Sequence, residues 1–523
     1  MKKFFTFAAI LLSSLSIQAK DYKGDIKVTV ANSLTTTYDQ AITVDKQNDG
    51  KYTLKLKHFS YGTMQVGTIV ITDINATTIG DINVLTFNGK VKIQANEDGT
   101  GALKGQDVTI NLNAKQAGNI FATKMNIKYT VLNIDVDFTS GSQIPGSDFE
   151  NSHVEQGMTT KLKEGTEDEY ENVKFDINEP NHWHSFGSAT GDLANVVKMN
   201  KQSDVSTDVR PGSKGKQSAK VMSALEFGFV PANGTLTTGR LQAGGYTPED
   251  TKNCAFLDLS KNDVDSHGDP FYTTLNALPD SIKLWVKFKQ GTLENPENKY
   301  ASVNAVITDG TYYQDPEDKV YSNIFAKATN TKIESKNFVW QEITIPFVYI
   351  KKEEEDLSPK AVLVTISTNS VPGAASTDAA NPDKLYIDDL SLVYNAGLKT
   401  VKFKGKDIKI LDGKGSVTVD GKCSEDDFEF ITNGVGATCT WSYNTEGNKL
   451  YITVISSDLV SEDNYTLNLI GGTITGINNS GIKLPANIKA IYNLAGQEVD
   501  SMQSGQVYIV KYTNGETKKM VKK

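Results

Sequence analysis

The stretch Asp49-Gly-Lys-Tyr-Thr-Leu-Lys-Leu56 sets the reading of the fold. Tyr52, Leu54 and Leu56 are apolar while Thr53 and Lys55 are polar, and a repeat of two puts the two kinds on opposite faces of a strand. Asp49-Gly50, just before, supplies the residues that adopt positive φ in a tight hairpin turn. Working outward, the same alternation recurs in Ile26-Lys-Val-Thr-Val30, Gly67-Thr-Ile-Val-Ile71, Val108-Thr-Ile-Asn-Leu112 and Ile134-Asp-Val-Asp-Phe138. Asn88-Gly89 reads as another hairpin turn. About eight such strands in roughly 120 residues suit a meander closing into a small barrel. Strand patterns continue almost to the C-terminus, so the chain as a whole reads as all-β.

The order Asp49-Gly-Lys-Tyr-Thr-Leu-Lys-Leu, Val66-Gly-Thr-Ile-Val-Ile and the closing Ile134-Asp-Val-Asp-Phe resembles the calycin-like β-barrel family of secreted bacterial proteins over residues 20–140. The resemblance implies a lipocalin-like barrel and brings no catalytic residues. The inward candidates are mostly Val, Ile, Leu and Phe, which predicts a barrel filled by its own side chains rather than one holding a ligand.

Before this unit, Lys2 and Lys3 precede the apolar run Phe4 to Leu15, and small or polar residues lead to Ala19. That order predicts a signal peptide over 1–19, cleaved after Ala19, and hence a periplasmic, outer-membrane-surface or extracellular protein. The run is too short to span a bilayer, and no later segment is long and apolar enough to do so. No cysteine stands at the cleavage point to carry a lipid anchor. The formal charge is −9, or −11 once Lys2 and Lys3 are removed, and only Arg210 and Arg240 are arginines. Such a surface is a poor phosphate reader, which argues against a nucleic-acid partner. Three cysteines are too few for a disulfide scaffold. Cys423 and Cys439 either bridge or stay free, and Cys254 reads as a small buried hydrophobe.

With 523 residues the chain needs about three or four domains. Thr139 to Gly146 reads as a linker. A large unit over 147–395 opens on Asp148-Phe-Glu150, includes Ser281-Ile-Lys-Leu-Trp-Val-Lys-Phe-Lys289 and closes on Leu385-Tyr-Ile-Asp-Asp-Leu-Ser-Leu-Val-Tyr394. This succession resembles a jelly-roll family named for a suspected role in carbohydrate metabolism and, more loosely, the jelly-roll carbohydrate-binding modules. The resemblance implies a jelly-roll sandwich linked to glycans. In those modules an aspartate of the closing strand and an acidic residue near the first strand hold Ca²⁺. It thereby implies Glu150 and Asp388 as ligands of a structural Ca²⁺, which needs six to eight oxygens. Apolar parity shifts at Asp388-Asp389, as an extra residue in the strand would cause.

Trp285 shares a strand face with Lys283, Lys287 and Lys289, opposite Ile282, Leu284, Val286 and Phe288. It is therefore a candidate platform for the apolar face of a sugar, or a ring packed under lysine stems. Trp183, in Asn181-His-Trp-His-Ser185, is the second candidate. His182 and His184, if extended, project to one face at a spacing suited to one metal, but no third ligand is evident. Trp340 is expected in the core.

Residues 397–480 read as a small Ig-like sandwich in which Cys439, Trp441 and Tyr443 share a face. Residues 481–523, with Ile491-Tyr-Asn-Leu-Ala-Gly-Gln497 and Gly505-Gln-Val-Tyr-Ile-Val510, resemble the C-terminal sorting domain of type IX secretion, which implies surface attachment. No Gly-x-Ser-x-Gly, His-Glu-x-x-His, P-loop or Cys-x-x-Cys occurs, so no catalytic residues are assigned. A non-catalytic glycan-binding surface protein is the leading expectation, with a structural or adhesive scaffold next. A glycan-active enzyme is third, since two carboxylates among 63 acidic residues would suffice.

Overall fold

The computed structural model describes residues 19–31, 33–350, 358–445 and 447–474, and the backbone of four further strands between 488 and 521. Residues 1–18 of the expected signal peptide, the charged run 351–356 and most of the sorting-like segment lie outside the described residues. No described helix is long and apolar enough to cross a membrane.

The protein is all-β. Eight antiparallel strands close into a barrel: β1 (Lys20–Val30), β2 (Ser33–Lys46), β3 (Tyr52–Tyr61), β4 (Met64–Ile79), β5 (Ile82–Lys92), β6 (Asp107–Ala117), β7 (Ile120–Tyr129) and β8 (Leu132–Ser140). Closure follows from β1 pairing with β8, Gly24 opposite Ser140 through to Val30 opposite Ile134. Period two does the sorting. In β8, Ile134, Val136 and Phe138 are buried while Asp135 and Asp137 are exposed. The inward residues, among them Tyr22, Leu54, Leu56, Phe121 and Phe138, form one core cluster. Each contributes on the order of 1.5–3 kcal/mol on burial. Gly24 has no room for a side chain, because a Cβ there would sit 2.0 Å from the Thr139 carbonyl oxygen.

One turn expectation fails. Asn88-Gly89 lies inside β5, paired with Asn111 and Ile110 of β6, and makes no hairpin. The physical reason is local packing: the Phe87 ring folds over Gly89, where an added Cβ would meet it at 2.9 Å. The glycine serves a close approach rather than a turn.

The middle of the chain is a two-sheet sandwich. One sheet orders strands Ser203–Ser206, Ser218–Met222, Lys384–Val393, Ser281–Lys289 and Gln341–Pro346. The facing sheet contains Thr235–Thr237, Ala361–Ser367, Ala301–Thr308, Ile324–Ile333 and Val348–Tyr349. Ile282, Leu284, Val286 and Phe288 of the first meet Ala301, Val303, Ala305 and Ile307 of the second in a common core. The extra residue expected at Asp388-Asp389 is present: the register slips where Lys283 opposes Ser391 and Trp285 opposes Asp388.

Residues 139–146 are not a free tether. The Gln143 side chain donates to the Leu392 carbonyl and accepts from the Leu392 amide, both at 2.9 Å, and the Tyr394 hydroxyl donates to the Ser142 carbonyl. Ser142 and Ile144 are buried. The absence of periodicity, read as a linker, instead reflects a segment fixed by side-chain bonds to the closing strand. The barrel also docks directly. Ile82 and Ile120, at its hairpin tips, join the sandwich core together with Ile455 and Leu459 of the next unit.

That next unit packs a three-stranded sheet against a four-stranded one in which Lys414–Cys423 runs parallel to Glu462–Ile474. Cys439, Trp441 and Tyr443 pack against its core. Cys423 and Cys439 are not bridged to each other. Four strands between 488 and 521 form a last antiparallel sheet.

Candidate functional site

The sandwich leaves one sheet face partly uncovered. In strand Ala301–Thr308 the alternation that buries Ala301, Val303 and Ala305 turns Ser302 and Asn304 to the opposite side. Register then assembles a polar floor. Asn304 lies between Thr365 and Thr329, and Ser302 opposes Ser367. The Thr329 hydroxyl donates to Asn304 Oδ1 at 2.6 Å. Farther along the same face, Val306 and Leu363 are covered by a small sheet of Arg240–Gln242, Cys254–Leu257 and Tyr313–Asp315. The cover stops short of the polar floor, which becomes a groove of about 590 Å³. Its walls carry Phe227 and Tyr246, 52% and 75% exposed, with Glu226, Asp315 and Glu317.

The charged groups are held in place. Glu317 Oε1 accepts from the Tyr313 hydroxyl at 3.0 Å and from Lys327 Nζ at 2.5 Å. Glu226 is buried and accepts from Asn200 Nδ2 at 3.0 Å and Gln202 Nε2 at 2.8 Å. Burial pushes its carboxyl up from 4.5 to about 7, only partly offset by those two amides. Burial likewise pushes Asp315 upward and the Cys254 thiol, also in the groove lining, up to about 12.

The Glu226 shift carries a pH signature. Its folded value exceeds its unfolded one, so the protonated acid's stabilisation is complete below pH 4.5 and is lost as pH rises through about 7. Glu226→Gln is uncharged at every pH, though its Nε2 cannot accept the amide bond that one carboxylate oxygen takes. We expect the variant to gain on the wild type by on the order of 2–3 kcal/mol between pH 4 and pH 8, read from denaturant melts across pH. A difference that does not change with pH would refute this.

The residues singled out from sequence have separate fates. Trp285 is half-buried, on the face that parity gave it, in a cleft of about 990 Å³ between barrel and sandwich. The Arg210 guanidinium covers its ring at 5.5 Å from the centroid. Trp183 is not a surface platform. It is fully buried, 5.4 Å from the Phe149 ring, because His182 adopts a left-handed backbone (φ 66°) and the Trp183 amide closes a turn on the Pro180 carbonyl. The turn breaks the extended geometry on which the polar setting was read. It also parts the two histidines: His182 reaches Asp39 of the barrel at 3.1 Å, and His184 reaches Asp265 at 3.5 Å. Trp340 is half-buried rather than core, and its Nε1 donates to Asp208.

Glu150 and Asp388 are drawn to one loop, 210–217. Both Glu150 oxygens accept from the Lys216 amide and Oε1 also from the Gln217 amide, while Asp388 Oδ2 accepts from the Arg210 amide. Asp388 Oδ1 alone is buried without a partner. Burial, with Asp389 and Glu150 nearby, raises the Asp388 carboxyl to about 7. The donor set does not fit the Ca²⁺ role expected of this pair: one free oxygen falls far short of six to eight. Backbone amides stand where the cation was expected.

Sequence reasoning misses the groove. Its floor comes from three strands distant in sequence, and a Thr or Asn on a strand reads as ordinary solvated surface. The available signal is the small-residue alternation Ala301-Ser-Val-Asn-Ala305, which marks a face too polar for a core yet flanked by apolar strands.

Comparison with known proteins bears on the barrel. The model of the calycin-like beta-barrel domain family matches residues 19–141. No curated protein matches the chain. A solved structure from Bacteroides fragilis, described as a "putative outer membrane protein", is similar at 10% identity over 67% of this chain and 96% of its own, with a TM-score of 0.20. Residues 19–141, which match the calycin-like beta-barrel domain model, form the closed eight-stranded meander.

Proposed function

We propose that this is an extracytoplasmic, non-catalytic glycan-binding protein whose sugar site is the groove on the sandwich. The observation that carries the reading is the groove's make-up: a polar floor of Asn304, Thr329, Thr365 and Ser367 beneath the exposed rings of Tyr246 and Phe227. Aromatic faces stack on sugar C–H faces, and fixed amides and hydroxyls take the hydroxyls. Glu226 and Asp315 are both pushed upward by burial.

The test is a glycan array on residues 20–523, followed by titration of the best hit. Tyr246→Ala is expected to weaken binding roughly three- to tenfold, the worth of about one aromatic contact, with an unchanged melting temperature. Trp285→Ala is expected to leave affinity intact, since Arg210 already occupies its ring. The reverse pattern moves the site to the barrel–sandwich cleft. No binding to any glycan favours the scaffold reading.

A further inference from the structure

Away from the groove floor, five side chains from four segments converge beside the turn that buries Trp183. His153 and Glu155 come from strand Ser152–Leu162, Glu179 from strand Tyr170–Pro180, His184 from just beyond it and Asp265 from a loop. His153 Nε2 lies 3.2 Å from Asp265 Oδ2, 3.7 Å from Glu155 Oε1 and 3.8 Å from Glu179 Oε2. His184 Nδ1 lies 3.5 Å from Asp265 Oδ2.

Four of these atoms, His153 Nε2, Glu179 Oε2, His184 Nδ1 and Asp265 Oδ2, are buried without a hydrogen-bond partner. Unpartnered buried polar atoms are costly one at a time and more so as a group of carboxylates. The opposite atom of each of the four side chains is engaged. His153 Nδ1 meets Asn181 Oδ1 at 3.2 Å, and His184 Nε2 meets the Pro270 carbonyl at 3.2 Å. Glu179 Oε1 accepts from the Ser185 amide and hydroxyl at 2.8 and 2.5 Å and from the Ser188 amide at 3.2 Å. Asp265 Oδ1 accepts from the His267, Gly268 and Asp269 amides between 2.8 and 2.9 Å. Outer bonds of this kind fix ring tautomers and carboxylate orientation around a metal.

From this convergence we infer that His153, Glu155 and Glu179, with Asp265 and His184 beside them, form a binding site for a divalent transition metal of the Zn²⁺ class. Ligand atoms on a tetrahedron with bonds of 2.0–2.1 Å stand about 3.3–3.4 Å apart. His153 Nε2 stands 3.7 and 3.8 Å from its Glu155 and Glu179 partners, and one ligand atom from each of the three residues lies within 4.8 Å of the others. An imidazole nitrogen beside carboxylates departs from the all-oxygen shells that Ca²⁺ and Mg²⁺ prefer. The site ties the two strands of one hairpin together, so its role is structural, and it is separate from the proposed sugar groove.

The test uses the whole chain from residue 20, without a polyhistidine tag, stripped with EDTA and dialysed. Zn²⁺ is expected to bind at one equivalent by elemental analysis and to raise the melting temperature, because it binds the folded state. Co²⁺ is expected to give the visible d–d band of a tetrahedral site. Glu179→Gln, which keeps the accepting Oε1, is expected to lose the bound metal. His182→Ala, whose ring bonds Asp39 instead, is expected to retain it. Absence of Zn²⁺ and Co²⁺ uptake by the wild type overturns the assignment independently of any variant. So does a full equivalent retained by Glu179→Gln, or loss of metal in a folded His182→Ala.

Discussion

Trp183→Ala is expected to lower stability by roughly 3–5 kcal/mol, the cost of removing a large aromatic from a packed core. The ring is fully buried, and its neighbours, Phe149 foremost, belong to the same cluster as both sheets of the sandwich. Little can collapse into the space, because Phe149 is itself fixed by a left-handed backbone (φ 58°) and by its amide's bond to the Gly146 carbonyl. The measurement is a denaturant melt followed by tryptophan fluorescence and circular dichroism, with Trp285→Ala alongside. A Trp183→Ala protein as stable as the wild type would contradict this packing.

The second large effect is expected at the barrel's docking tip. Ile82 is buried at the start of β5, in the β4–β5 hairpin, and shares a core with Ile120, Leu275, Ile455 and Leu459. Ile82→Asp removes an apolar contact and buries an unpaired carboxylate, at roughly 3–5 kcal/mol. Each unit keeps its own core, the barrel's being a separate cluster closed by β1 and β8. The variant is therefore expected to come apart at a seam rather than unfold outright. Calorimetry should show a barrel transition separating from that of the sandwich, and limited proteolysis should open a new cut within 139–146. A single transition and an unchanged digest would show that the docking contact is dispensable.

How much of this was legible depends on whether local chemistry or distant pairing decides. The barrel strands are local: Tyr52, Leu54 and Leu56 alternate with Thr53 and Lys55, and nothing in the tertiary structure overrides them. The face of Trp285 and the slip at Asp388-Asp389 were readable for the same reason, since both are parity statements. Trp183 was not, because one left-handed residue, His182, reverses where the next ring points. Asn88-Gly89 misled because an Asn-Gly pair suits a turn, while its glycine equally suits a strand over which a phenylalanine folds. The groove floor and the histidine–carboxylate cluster were beyond reach. They join strands and a loop up to about a hundred residues apart, and a lone His153 or Asp265 carries no sign of its partner. The pair His182 and His184 pointed to the right region with the wrong set, as the partners of His184 come from elsewhere.

The stitching of residues 141–147 to the closing strand decides how the molecule bears load. The chain enters the sandwich at Ser142 to Ser147 and leaves it at Leu390 to Tyr394, and these two stretches are bonded side by side by Ser147, Gln143 and Tyr394. Tension applied between the barrel and the C-terminal units crosses from entry to exit through that seam and bypasses the sheet that floors the groove. A chain pulled by its two ends would thus strain a short strap of hydrogen bonds first, while the groove kept its shape under force.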